Sequence, residues 1–336
     1  MIRLIKLRAV GNGEHRSGWP YCMDSLAPLF CDDSPIVFDD FTERTFLYDE
    51  KWHDDYVHEE PWIATMHHPP DMPRWYFDNL HLQKMIETPR FKASLPNLRM
   101  IVSMGDNLTQ WCNQQWPHIP TVTVRHPTGR PLFYWDADRF QRIGKKRLVQ
   151  VGWFLRNTLG IRHVAAPAWL TKTHLRQNLN WVRHANWLCE HAYKRMHPSR
   201  RELGNTEEIQ QLDDTGYDLL LSESVVFVEV ISAVANNTVV ECIARNTPIC
   251  INRHPGPEYY LGESYPLFYD DIRDVGRLLT TDNIMAAHQY LRTMDKWWIR
   301  GGMFCEQIRA ACIEHIPECR QFTSLAHVVD TTEFRI

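Results

Sequence analysis

Four short stretches of this chain concentrate glycines and polar side chains that could hold an anion or move a proton. GNGEHRSGWPY, from Gly11 to Tyr21, sets three glycines, His15, Arg16, Ser17 and Trp19 at the start of a helix-like run. Backbone N–H groups at such a helix start suit an anion or a polar ligand. The glycines stand at 11, 13 and 18, which is not the G-x-G-x-x-G spacing of a dinucleotide site. MHHPPDMP, from Met66 to Pro73, ends an apolar run on His67 and His68. Neighbours on a strand point to opposite faces, so at most one of the pair addresses a given ligand, as a hydrogen-bond or acid–base group. A histidine satisfied at a strand end is the equal alternative. Two histidines without an acid or cysteine at ligand spacing do not make a metal site.

VGWFLRN, from Val151 to Asn157, offers Gly152 and Trp153 for close backbone approach and Arg156 as a clamp for phosphate; Lys172, in WLTKTHL, is a candidate second cation. An arginine on a solvated face is the competing reading. NNTVVECIARNTPICINRHP, from Asn236 to Pro255, places a capping Asn236 or Asn237 and Thr238 before a helix that holds one acid, Glu241. The N–H groups and positive dipole end of that helix suit a diphosphate. Glu241, one turn in, gains from the same dipole and could also accept two hydrogen bonds from a ribose diol.

The elements that would carry these turns alternate. Apolar runs at 2–10, 34–41, 61–68, 98–105 and 121–127 read as strands, with helices expected at 19–30, 74–88 and 106–116. After a Pro- and Gly-bearing stretch at 126–146 the pattern restarts. Strands are expected at 147–154, within 217–231 and at 247–252, with helices at 178–196, 271–280, 282–296 and 302–315. Strands rich in β-branched residues that alternate with helices predict parallel sheets buried on both faces. The expected architecture is α/β, with two Rossmann-like doubly wound domains facing a cleft. The expected boundaries are a first domain over 1–128, a linker over 129–146 and a second domain over 147–315, with 316–336 packing back. Ligands of open α/β sheets sit beyond the carboxyl ends of the strands, so the four turns fall where chemistry belongs.

Composition narrows the class. The 336 residues, 44% hydrophobic, can bury two cores; 37 basic against 41 acidic residues give a net charge of −4, which argues against a broad nucleic-acid surface. Nine cysteines without a C-x-x-C pair fit reduced thiols and support neither a zinc ribbon nor a redox motif. No apolar run approaches a membrane span and the first residues do not read as a signal peptide, so a soluble cytoplasmic protein is expected. Thirteen tryptophans suit sugar-binding surfaces, but on composition alone the core reading comes first.

The order of VGWFLR, a strand and ANNTVVECIARNTPICINRHPGPEYYLG resembles the nucleotide-binding domain of GT-B glycosyltransferases, most of all their retaining, group 1-like branch. HRSGWPY, MHHPP, VSMGDNLTQW and TVRHPT resemble that family's first domain, so the likeness covers most of the chain. It implies that a sugar passes from a nucleotide-diphosphate sugar, the co-substrate, to a glycan, lipid-linked or other hydroxyl acceptor, with no metal and no other cofactor. By the same resemblance Glu241 holds the donor ribose, Arg156 and Lys172 meet the diphosphate, and Asn236, Asn237 and Thr238 lie beside it. His67 or His68 then stands near the transferred sugar, and His15, Arg16, Ser17 and Trp19 stand at the acceptor. The family's first glutamate lies eight residues before its second; here that position is Ala233, and the nearest upstream acid is Glu229. Retaining and inverting outcomes both stay open. So do two alternatives: a glycosyltransferase of modified DNA bases, for which RQNLNWVRHANW and KRMHPSRRELG are the only basic stretches, and a non-catalytic sugar-nucleotide binder.

Overall fold

The computed structural model describes residues 6–8, 18–48, 56–177, 179–210 and 212–322. They form two compact units. One gathers the described residues of Met1–Pro70, Asn79–Gly129 and Lys296–Ile336; the other gathers those of Asp71–Asp78 and Arg130–Asp295.

Unit 1 is a five-stranded parallel sheet in the order β1 (Lys6–Arg8), β2 (Val37–Asp39), β3 (Trp62–Met66), β4 (Leu98–Ser103) and β5 (Thr121–Thr123). Every residue of β2 and β3 is buried, as both-face burial of a parallel sheet requires. The helix Gly301–His315 packs on the helix Trp19–Leu26 and on β4. A Cβ at Gly301 would come within 2.2 Å of Ser25 Oγ, so the two helices meet there at backbone distance.

Unit 2 is a six-stranded parallel sheet in the order β11-β10-β9-β6-β7-β8. Its strands are β6 (Arg147–Gln150), β7 (Thr171–Leu175), β8 (Glu207–Ile209), β9 (Ser224–Val228), β10 (Ile249–Asn252) and β11 (Phe268–Tyr269). The chain runs outward from β6 through β7 to β8, then returns to the other side of β6 and runs outward again through β10 to β11. That reversal makes a topological switch point at the carboxyl ends of β6 and β9.

The segment expected as one helix over 74–88 divides instead. The α-helix is Leu82–Glu87, and Asp71–Asp78 joins unit 2. The cause lies in tertiary contacts: the Tyr76 hydroxyl donates to the Trp153 carbonyl at 3.1 Å and accepts from Leu155 N–H at 2.9 Å, and Phe77 takes a positive φ of 44°. The WLTKTHL stretch, which offers Lys172 as a candidate second cation and carries no expected element, holds strand β7. The helix expected over 178–196 is α-helical over Asn180–Leu188 and then widens into a π-turn, Cys189–Tyr193. Within the stretch read as a linker, Ala137–Arg142 is a helix capped by Asp136, and Trp135 Nε1–H donates to the Ser224 carbonyl at 3.0 Å.

Candidate functional site

At the switch point the loops that follow β6 and β9 are fastened to one another. Asn157 N–H donates to the Glu229 carbonyl at 2.8 Å, Ile231 N–H donates to the Leu155 carbonyl at 2.8 Å, and Arg156 and Val230 form an antiparallel bridge. The loop after β9 leads into the helix Asn237–Arg245. Asn236 caps this helix by accepting from Val239 N–H, and Asn246, in the left-handed region at φ 59°, ends it.

Arg156 lies across this junction and is only 8% exposed. One guanidinium nitrogen donates to Asn236 Oδ1 at 2.6 Å and to Thr238 Oγ1 at 3.3 Å; Nε has no partner. Among the described residues no carboxylate pairs with it. Burial pushes its pKa below the usual arginine value, and Tyr217, Tyr76 and Glu241 act in the opposite direction. A buried cation whose bonds go to neutral oxygens at a helix N-terminus is an arrangement with the charge and the donors to take an anion. Gly152 makes the arrangement possible. Its φ is 76°, and a Cβ there would fall 2.0 Å from the Arg156 guanidinium. Gly256 does the same for the next loop, since a Cβ would meet the carbonyl oxygens of Ala233 and Val234 at 2.6 and 2.7 Å. Arg156, Gly152, Asn236 and Thr238, each singled out in the sequence, therefore come together. Trp153 follows Gly152 in the same turn, and Asn237 opens the helix half-buried.

Lys172 does not join them. Its ammonium donates to the carbonyls of Arg162 and Leu203, where β7 places it. Glu241 is present in the helix but enclosed: it is 1% exposed and accepts from the Tyr217 hydroxyl at 2.8 Å. Beneath it Asp218 and Arg245 form a buried ion pair. The acid closest upstream, Glu229, is also committed, accepting from Asn157 Nδ2 at 2.8 Å, Tyr193 Oη at 2.7 Å and Arg200. Beside the Gly152 turn a cavity of about 10 Å³, room for one water, is lined by Trp153, Thr158, His174 and Asn186. His174 Nδ1 and Asn186 Oδ1 have no protein partner there. These two residues carried no spacing signal, because strand β7 and the helix Asn180–Leu188 come together only on folding.

Among solved structures the chain is similar to HepE from Anabaena, in complex with UDP-glucose, at a TM-score of 0.64 and 8% identity over 94% of this chain and 100% of that one. It is also similar to trehalose-6-phosphate synthase, OtsA, at a TM-score of 0.52 and 12% identity over 91% and 76%. Sucrose-phosphate synthase from Thermosynechococcus elongatus matches at a TM-score of 0.52 and 14% identity over 82% and 69%. This is the GT-B fold. No protein-family model and no curated protein matches the chain.

In unit 1 of this GT-B chain, the histidine pair at the end of β3 is fixed by an acid the sequence reading did not single out. Glu43 Oε1 accepts from the backbone N–H of both His67 and His68 at 2.7 Å, and Oε2 is buried without a partner. Burial pushes the Glu43 carboxyl up to about 7, against the pull of those N–H groups. The DDFTER run after β2 was the available signal. His68 is 1% exposed and fully engaged: Nδ1–H donates to the Leu80 carbonyl at 2.7 Å, and Nε2 accepts from Tyr48 Oη at 2.9 Å. His67 is half-buried; Nε2–H donates to the Asp40 carbonyl at 3.0 Å, which assigns Nδ1 as an acceptor. Burial holds His67 down to about 3 and His68 down to about 4, so both are neutral near pH 7. Trp19, expected at an acceptor surface, is buried edge-on to His67 at 4.3 Å, with Nε1–H on Asp40 at 3.3 Å. His15, Arg16 and Ser17 lie outside the described residues.

Proposed function

We propose that this chain is a glycosyltransferase that moves a sugar from a nucleotide-diphosphate sugar to a hydroxyl acceptor and holds the donor diphosphate at the switch point of unit 2. The observation that carries this reading is Arg156, buried without an acid partner and bonded to the cap of the helix Asn237–Arg245. Departure of a nucleoside diphosphate concentrates negative charge on its terminal phosphate. A fixed guanidinium and the N–H groups of residues 237 and 238 at the helix start stabilise that charge with no reorganisation at the moment of reaction, the role that a metal ion plays elsewhere. The GT-B fold supports the reading, as does the UDP-glucose bound in HepE. His67, neutral and with Nδ1 as an acceptor, fits the acceptor side as a hydrogen-bonding group; His68 is fully used within unit 1. Glu241 becomes a ribose ligand only if Tyr217 yields its bond.

The test is incubation of the purified protein with a panel of nucleotide sugars, following release of nucleoside diphosphate. Slow hydrolysis by the wild type, absent in Arg156→Met, is the expected result; release undiminished in the variant overturns the assignment. A second reading, a non-catalytic sugar-nucleotide binder, is favoured by Ala233 and by the full engagement of Glu229. Tight binding with no release of diphosphate from any donor, with or without added acceptors, selects it.

A further inference from the structure

The turn that follows the histidine pair ends on Asp71, which belongs to unit 2. Its carboxylate is held at both oxygens: Ser232 Oγ–H donates to Oδ1 at 2.6 Å and His254 Nε2–H donates to Oδ2 at 3.3 Å. His254 Nδ1 accepts from Gly256 N–H at 3.2 Å, which assigns the ring proton to Nε2. Both donors are packed away, Ser232 being 1% exposed and the His254 side chain 11%, yet the Asp71 side chain is 56% exposed. Desolvation raises the Asp71 pKa, but the bonds from His254 and Ser232 together outweigh it and hold the carboxyl below its ordinary value. The group is therefore an anion near pH 7.

Both donors stand on loops that build the anion site. Ser232 lies between Val230, bridged to Arg156, and Asn236, bonded to the Arg156 guanidinium. His254 caps the helix Pro255–Leu261, whose Gly256 packs against the Ala233 and Val234 carbonyls. Fastening the Asp71–Asp78 segment does not account for the charge, because Tyr76 already ties that segment to Trp153 and Leu155. Nor do two side-chain bonds fill a carboxylate, which has about four acceptor sites. An exposed anion on the loop that holds a cation for phosphate can accept a hydroxyl and repels a further phosphate.

We propose that Asp71 selects what hangs from the bound diphosphate: it accepts a hydrogen bond from a sugar hydroxyl and excludes the third phosphate of a nucleoside triphosphate. The inference rests on the reading of Arg156 as a diphosphate ligand and extends it to a residue from another segment. A triphosphate shares the base, the ribose and the first two phosphates of a nucleotide sugar, so Arg156 and the helix start do not tell the two apart. A fixed anion does, by its charge.

The test is calorimetric titration of wild type, Asp71→Asn and Asp71→Ala with UDP, UTP and UDP-glucose. The guanosine and adenosine sets, with GDP-mannose and ADP-glucose, are titrated beside them. Diphosphate affinity stays nearly unchanged in both variants and reports that unit 2 is folded. Asp71→Asn weakens the nucleotide sugar about tenfold, as a charged acceptor gives way to a neutral one. It tightens the triphosphate about fivefold, the factor for two charges roughly 4 Å apart in water. Asp71→Ala moves both in the same directions. Equal changes on all three ligands, the mark of a clip that only holds the fold, overturn the proposal; so does no change, or a change on one ligand alone. A wild type that binds no nucleoside diphosphate overturns the diphosphate reading first, and this inference with it.

Discussion

Replacing Arg156 by Met separates a residue built for a ligand from one built for the fold. The variant loses the bonds to Asn236 at 2.6 Å and Thr238 at 3.3 Å, worth about 1 kcal/mol each in net stability. It also removes a buried charge with no carboxylate partner, and burying such a charge costs several kcal/mol even after relaxation. The two effects oppose, so the unliganded variant unfolds within about 2 kcal/mol of the wild type, or above it. Ligand binding behaves otherwise. A charge-assisted bond to the diphosphate is worth about 1.5–3 kcal/mol, so its loss weakens binding roughly 13- to 160-fold. With nucleoside diphosphate at a hundred times the wild-type Kd, the wild type gains about 2.7 kcal/mol and a variant weakened thirtyfold about 0.9 kcal/mol. Differential scanning fluorimetry reads these as shifts of about 5–11 °C and about 2–4 °C for a domain of this size. An undiminished shift in Arg156→Met refutes the anion-site reasoning. Loss of more than about 3 kcal/mol in the unliganded variant makes Arg156 a structural strut instead.

Gly152→Ala places a methyl group where the Arg156 guanidinium lies and forces a left-handed φ on alanine; stability falls by about 1–3 kcal/mol in urea titrations and diphosphate binding falls with it. Unchanged values for both exclude the tight turn. Asp218→Asn leaves Arg245 buried without its counterion and costs about 3–5 kcal/mol; a change under about 1 kcal/mol in the same titration contradicts the pairing. Glu43 is raised from 4.5 to about 7 by burial. A raised acid favours the protonated folded state, so the stability Glu43 confers is present below pH 4.5 and is lost as pH climbs to about 7. The stability of Glu43→Gln relative to wild type then rises by roughly 3 kcal/mol across that window and is flat above it; a difference that does not vary with pH disproves the buried acid.

What could be read from the sequence was what local pattern determines. Continuous β-branched runs such as VVFV and the cap signal of Asn236 announce their elements, because both-face burial and helix starts impose composition locally. The meeting of Arg156 with Asn236 and Thr238 followed from the rule that turns after parallel strands converge. The side chains' actual partners were not legible. Lys172 reads as a free cation until β7 delivers it to two carbonyls, and Trp19 reads as an acceptor-side residue until His67 and Asp40 enclose it. Residues 74–78 have helix-compatible composition, yet Tyr76 is drawn into unit 2 by the Trp153 carbonyl and the Leu155 N–H, partners nearly eighty residues away. Glu43 was passed over because its importance lies in holding two N–H groups from another strand end.

The central claim is that the switch point of unit 2 recognises a diphosphate through Arg156 and the start of the helix Asn237–Arg245. Calorimetric titration with a nucleoside, its monophosphate and its diphosphate, on wild type and Arg156→Met, tests it most directly. Affinity that climbs with each phosphate in the wild type and stays nearly level in the variant is the predicted result. Equal affinity for all three in the wild type, or the same climb in the variant, contradicts it.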